Sequence, residues 1–193
     1  FVKRSVFKNV NMQIISKFIY HRLLGWSFSG FNEFSSVKKA VIIAAPHTSW
    51  HDFYIGILLR SIIQLQINFV GKQSLFTPLT AWFFRSLGGT PIKRNGNENQ
   101  VDSIARLFDN KEIFHMAIAP EGTRKKVDTW RTGFYYIAKK ADVPIVMITF
   151  DFKNKNTPCL KCFYQSEPSD EILNFKYIYK IQRPTIYHQG ISE

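Results

Sequence analysis

A chain of 193 residues, 45% of them hydrophobic, is long enough to bury one real core and too short for several domains. Its 26 Lys and Arg against 14 Asp and Glu leave a net charge of +12, which selects anionic partners: phosphate groups, anionic lipid surfaces or nucleic acid. Dispersed basic residues and the lack of a recognition module set nucleic acid aside, and the single C-x-x-C of Cys159 and Cys162, with no second pair or nearby histidine, is too little for zinc.

Residues 4–24 read as an amphipathic helix with Ile14, Ile15, Phe18, Ile19 and Leu23 on one face and Lys8, Lys17 and Arg22 elsewhere. The stripe suits either a bilayer or the body of the domain. Gly25 and Gly30 then frame a loop around Trp26 and Phe28. From residue 40 short apolar strands alternate with helical patterns. Strands are expected at 40–45, 67–70, 91–93, 113–119 and 143–150; helices at 52–64, 78–87, 99–109 and 132–140. This is an α/β layout, expected to be a single domain with a mixed, mostly parallel sheet flanked by helices and an N-terminal amphipathic helix. The division follows: 1–30 for the helix and its loop, 31–193 for the main domain. Residues 153–193 read as loop up to a Tyr/Ile-rich stretch at 175–181 that has no assignable pattern. The 18 Phe, 8 Tyr and 4 Trp suit acyl-chain or membrane contact as well as a phenylalanine-heavy core.

The chemistry concentrates in Ala45-Pro46-His47-Thr48-Ser49-Trp50-His51-Asp52, directly after the first expected strand. An alcohol becomes a good nucleophile when an imidazole takes its proton, and a carboxylate on the other ring nitrogen fixes the tautomer and stabilises the imidazolium. His47 and His51 both stand near Asp52, and the block alone also fits a helix start at Asp52 with a bystander histidine. A strand ending at Pro46 would put the segment at the carboxyl edge of the sheet, where α/β proteins bind ligands.

Two further blocks follow: Gly89-Thr90-Pro91-Ile92-Lys93-Arg94, and Ala119-Pro120-Glu121-Gly122-Thr123-Arg124, with Val143-Pro144-Ile145-Val146 after them. In this order, over roughly residues 38–152, they resemble the glycerolipid acyltransferase family, the 1-acylglycerol-3-phosphate O-acyltransferases. The resemblance implies that His47 is the general base and Asp52 its orienting carboxylate, with Ser49, Trp50 and His51 shaping the loop. It puts the acceptor's phosphate at Glu121, Gly122, Thr123 and Arg124, with Arg94 as a second clamp and Lys72 as a further candidate. A glycine allows close backbone approach there, and an arginine binds phosphate in a bidentate manner.

The implied reaction moves a fatty acyl group from acyl-CoA or acyl carrier protein to a lysophospholipid hydroxyl, giving phosphatidate from 1-acylglycerol 3-phosphate. The thioesters are co-substrates, and no metal or bound redox cofactor is implied. Two positions depart from the family pattern: Lys93 stands where an acid is usual before the arginine, and Ser74 replaces the glutamate of a K-x-E segment. They open a rival reading, an O- or N-acyltransferase of the same fold acting on a phosphate-free lipid or pigment; a silent basic membrane-binding module is the rival from another class. With no run of 18 apolar residues, no cleavable leader pattern and few cysteines, the expectation is a peripheral enzyme on an anionic membrane surface, at its cytoplasmic face.

Overall fold

The computed structural model describes residues 10–32, 34–45, 47, 49–92, 100–123, 127 and 130–163. Among these residues seven strands form one sheet: β1 (Ser27–Ser29), β2 (Lys39–Ala44), β3 (Ile67–Lys72), β4 (Gly89–Ile92), β5 (Phe114–Ile118), β6 (Ile145–Ile148) and β7 (Asn156–Phe163). Their order is β1-β7-β6-β2-β5-β3-β4. The five strands β2 to β6 run parallel, β7 lies antiparallel to β6, and β1 pairs parallel to β7.

Among the described residues five α-helices accompany the sheet: α1 (Val10–Lys17), α2 (His51–Ile62), α3 (Ala81–Ser86), α4 (Gln100–Ala105) and α5 (Gly133–Ala141). Parallel strands need crossovers, and helices on both faces bury the sheet, so the central strands read as continuous apolar runs. β2 is the clearest case. Val41 and Ile43 join Met116, Ile145, Phe134 and Ile137 in the core beneath α4 and α5. Ala40 and Ile42 face the other way, into a core with Val146, Ile55, Leu59 and Tyr20 beneath α2. α3 lies on the α2 side, where the ring of Phe84 is 6.0 Å from that of Phe53. Buried Arg60 donates to the carbonyls of Ile67 and Leu87, each at 2.6 Å, tying the start of β3 to the turn before β4. Burial pulls its pKa down to about 10.

The N-terminal helix is oriented against the usual rule. Its inward face is Gln13, Ser16 and Tyr20: Gln13 Nε2 donates to Ile62 O at 2.7 Å, and Ser16 Oγ lies 3.0 Å from Ser61 Oγ. A π-helical turn over Phe18–Leu23 follows α1, and the Tyr20 hydroxyl reaches Ser27 O at 3.1 Å and Thr157 Oγ1 at 3.0 Å. Its burial raises the phenol to about 12. The apolar stripe faces outward, with Ile14 60%, Phe18 57% and Leu23 67% exposed. The stripe is therefore not what docks this helix on the domain.

The C-terminal expectation needs correction. Residues expected as loop contain β7, whose antiparallel pairing with β6 has a register irregularity at Met147 and Ile148. Ser27–Ser29, also expected as loop, forms β1 beside it. The Tyr/Ile-rich stretch at 175–181 lies outside the described residues.

Candidate active site

β2 ends at Ala44 and α2 begins at His51, so the connecting loop sits at the carboxyl edge of the sheet. There His47 Nδ1 lies 2.8 Å from Asp52 Oδ2, with the imidazole 26% exposed and the carboxylate 2%. Asp52 is in the first turn of α2, where the helix dipole favours a negative charge. The same Oδ2 accepts the Ser49 backbone N–H at 3.2 Å. A buried acceptor with two donors is held in one orientation, and the carboxylate favours a proton on His47 Nδ1, which turns Nε2 away from Asp52.

The structure separates the two loop histidines. His51 Nδ1 pairs with Ser49 Oγ at 2.7 Å, its ring stacks on Trp50 with centroids 4.4 Å apart, and Tyr54 and Phe152 meet it edge-on. His51 shapes the loop from inside an aromatic enclosure; His47 has the carboxylate.

β5 is the neighbour of β2, with Ile43 opposite Ile118, so the residues just past the two strand ends meet. Glu121 is 4% exposed, and its Oε2 accepts the His47 backbone N–H at 2.9 Å. The carboxylate thus holds the loop that carries the imidazole. Gly122 follows in a left-handed conformation, φ +64°, with its N–H on Ala119 O at 3.1 Å. Thr123 is half-buried beside it.

One cation in this turn carries no sequence motif. Arg131 donates its backbone N–H to Pro120 O at 2.9 Å, which folds residue 131 back onto the turn. A Cβ on Gly122 would stand 3.0 Å from Arg131 Nε and 3.4 Å from Cζ. The guanidinium therefore lies over the glycine, exposed and without an ion pair to a described carboxylate. Nothing in the order of residues marks this arginine, because its closeness comes from the return of the chain to Pro120.

Of the other residues singled out by sequence, Lys72 is exposed at the end of β3, two strands away from β2. Arg94 and Arg124 lie outside the described residues. Cys159 is half-buried in β7.

A mostly parallel α/β sheet thus carries an imidazole–carboxylate pair at its carboxyl edge, where folds of this class bind ligands. The chain belongs to the acyltransferase family of enzymes, whose family model matches residues 28–151. It is 30% identical over 134 residues to a chloroplastic 1-acyl-sn-glycerol-3-phosphate acyltransferase of Brassica napus, covering 67% of this chain and 38% of that protein. A second chloroplastic relative with the same activity in its name, from Arabidopsis thaliana, is 26% identical over 137 residues, 68% of this chain and 37% of its own length. The chain thus spans less than two-fifths of these curated relatives. In fold it is similar to the crystal structure of a 1-acyl-sn-glycerophosphate acyltransferase from Thermotoga maritima, with a TM-score of 0.61 and 17% identity over 94% of this chain and 79% of that one.

Proposed function

We propose that this chain transfers a fatty acyl group from a thioester, acyl-CoA or acyl carrier protein, to the hydroxyl of a lysophospholipid, with 1-acylglycerol 3-phosphate as acceptor and phosphatidate as product. The observation that carries the reading is the pair of half-buried His47 and fully buried Asp52 at 2.8 Å on the carboxyl edge of the sheet. Family membership supports acyl transfer, and the names of the relatives support the acceptor.

In the proposed reaction His47 Nε2 takes the proton of the acceptor hydroxyl as its oxygen attacks the thioester carbonyl carbon. Asp52 stabilises the imidazolium that forms. The tetrahedral intermediate collapses by breaking the carbon–sulfur bond, and the leaving thiolate recovers the proton from the imidazolium, so that an ester and a free thiol leave. Glu121 keeps the His47 backbone in place through the cycle. Arg131 stands as a phosphate ligand at the Glu121–Thr123 turn, with Arg94 and Arg124 proposed beside it as family resemblance implies.

The lipid substrate calls for a membrane surface. No helix among the described residues is long and apolar enough to cross a bilayer. The outward stripe of α1, with exposed Lys17 and Arg22 alongside, supports docking on an anionic leaflet.

An acceptor screen tests the reading: purified protein, acyl-CoA and acyl-carrier-protein donors, a panel of lysophospholipids and phosphate-free amines and alcohols, and mass detection of products. Product from lysophosphatidate, and loss of that product with His47→Ala, is expected. Turnover only of phosphate-free acceptors would move the chain to the rival acceptor class, and no turnover with any acceptor would sink acyl transfer.

A further inference from the structure

A second apolar surface lies away from α1, between the end of β3 and the first turn of α3. Leu75, Leu79, Trp82 and Phe83 are all exposed there, Leu79 at 86% and Trp82 at 70%. Soluble surfaces scatter such side chains singly; several within one short segment mark a contact. The segment is held firmly. Thr80 Oγ1 donates to Leu75 O at 2.6 Å and lies 2.8 Å from Thr77 Oγ1, closing the turn that displays Leu79.

Beneath the surface runs a row of rings. Phe76 is buried and 5.8 Å from Phe84, which is 6.0 Å from Phe53, the residue next to Asp52 in α2. On the other side Phe84 meets Phe83 at 5.4 Å, and Phe83 meets Trp82 at 6.0 Å. The patch is thus rooted in the same helix turn as the Asp52 carboxylate. Because β3 runs parallel to the strands that carry the site, Leu75, just past its end, starts at the same sheet edge as His47.

We propose that Leu75, Leu79, Trp82 and Phe83 form a second membrane contact, distinct from the α1 stripe, that inserts into an anionic bilayer and brings the carboxyl edge of the sheet against it. The inference rests on the reading that the acceptor is a membrane lipid. Charge selects this occupant over a protein partner: exposed Lys72 and Arg85 flank the patch in a chain of net charge +12. Cations beside a tryptophan and leucines match the layering of a leaflet, with anionic headgroups outside, an aromatic belt at the interface and acyl chains within. α1 and this patch both lie on the α2 side of the sheet, so two contacts on one side fix a tilt that a single helix leaves free.

The test uses the whole chain and vesicles of phosphatidylcholine with phosphatidylglycerol. Leu79→Asp with Trp82→Asp should weaken vesicle binding by about tenfold or more, since two large apolar groups are withdrawn and two anions added. Turnover of an acceptor embedded in the vesicle should fall in parallel, while turnover of a short-chain lysophosphatidate below its micelle concentration stays within about twofold of the unaltered chain, because a soluble acceptor needs no interface. Should the double variant misfold by circular dichroism, the unaltered chain decides: brominated acyl chains should quench Trp82, read as the difference from Trp82→Phe. Unchanged vesicle binding together with an unquenched Trp82 overturns the proposal. So does a dimer in sedimentation that the double variant converts to monomer, which assigns the patch to a second copy. If Trp82 enters the bilayer yet no acceptor turns over, the docking surface stands and the acyl-transfer reading falls.

Discussion

Replacing Asp52 by Asn probes the proposed chemistry with the least disturbance of shape. Asp52 Oδ2 receives both the His47 ring proton at 2.8 Å and the Ser49 backbone N–H at 3.2 Å. An amide oxygen in that place keeps both hydrogen bonds and loses the charge. A full imidazolium–carboxylate attraction at 2.8 Å is worth about 6 kcal/mol at an effective dielectric constant of 20. The imidazolium is partly formed in the transition state, so a loss of about 3 to 5 kcal/mol is expected, or roughly 10²- to 10⁴-fold in kcat. His47→Ala should fall in the same range, and the double variant should be little worse than either alone, since the two act as a unit. The assay is steady-state release of free thiol from acyl-CoA, with circular dichroism and thermal melting as controls on fold. A His47→Ala variant that keeps more than about a tenth of the original turnover would refute the general base. Losses in the two variants that simply multiply would refute the coupled pair.

Arg131→Ala, Arg94→Ala and Arg124→Ala should each raise the KM for lysophosphatidate by about tenfold or more, as loss of one charge-assisted hydrogen bond predicts, and leave the donor KM unchanged. Equal effects on a phosphate-free acceptor would remove these arginines from phosphate binding. Ile15→Asp with Phe18→Asp should leave the melting temperature within about 2 °C, because both side chains are more than half exposed. The same variant should remove the part of anionic-vesicle binding that survives high salt; a large fall in melting temperature would show that the stripe is packed. His115 is fully buried, bonded through Nε2 to Val37 O at 2.7 Å, and burial pushes its pKa below 6.5. The unfolded chain then binds the extra proton first, so the contribution of His115 is complete above about pH 6.5 and declines as pH falls toward the folded pKa, by at most roughly 1.4 kcal/mol per unit. Urea midpoints measured across that range should slope less in His115→Gln, and an unchanged slope would assign the pH dependence to other groups.

Apolar periodicity and block order in the chain were enough for the alternation of strands and helices from residue 40 to 150 and for the neighbourhood of His47 and Asp52. Both are local properties. A run such as Ala40 to Ala44 buries on both faces wherever its neighbours lie, and a histidine five residues before a carboxylate across a helix start can reach it within one loop. The rest depended on contacts between distant segments. β7 was hidden because Pro158 interrupts its pattern, and the strand exists through pairing with β6 and β1. The amphipathic stripe of α1 was visible, but periodicity does not say which face docks; Ser61, Ile62 and Thr157 supply the polar partners that turn its apolar side outward. Family resemblance assigns Glu121 to the acceptor-binding block, and only the adjacency of β2 and β5 puts its carboxylate on the His47 backbone. Arg131 carries no signal in the order of residues at all: one hydrogen bond to Pro120 and the missing side chain of Gly122 put its guanidinium at the turn. Local sequence sets what each segment can form, whereas strand order decides which loops share an edge, and the site is made of loops that share one.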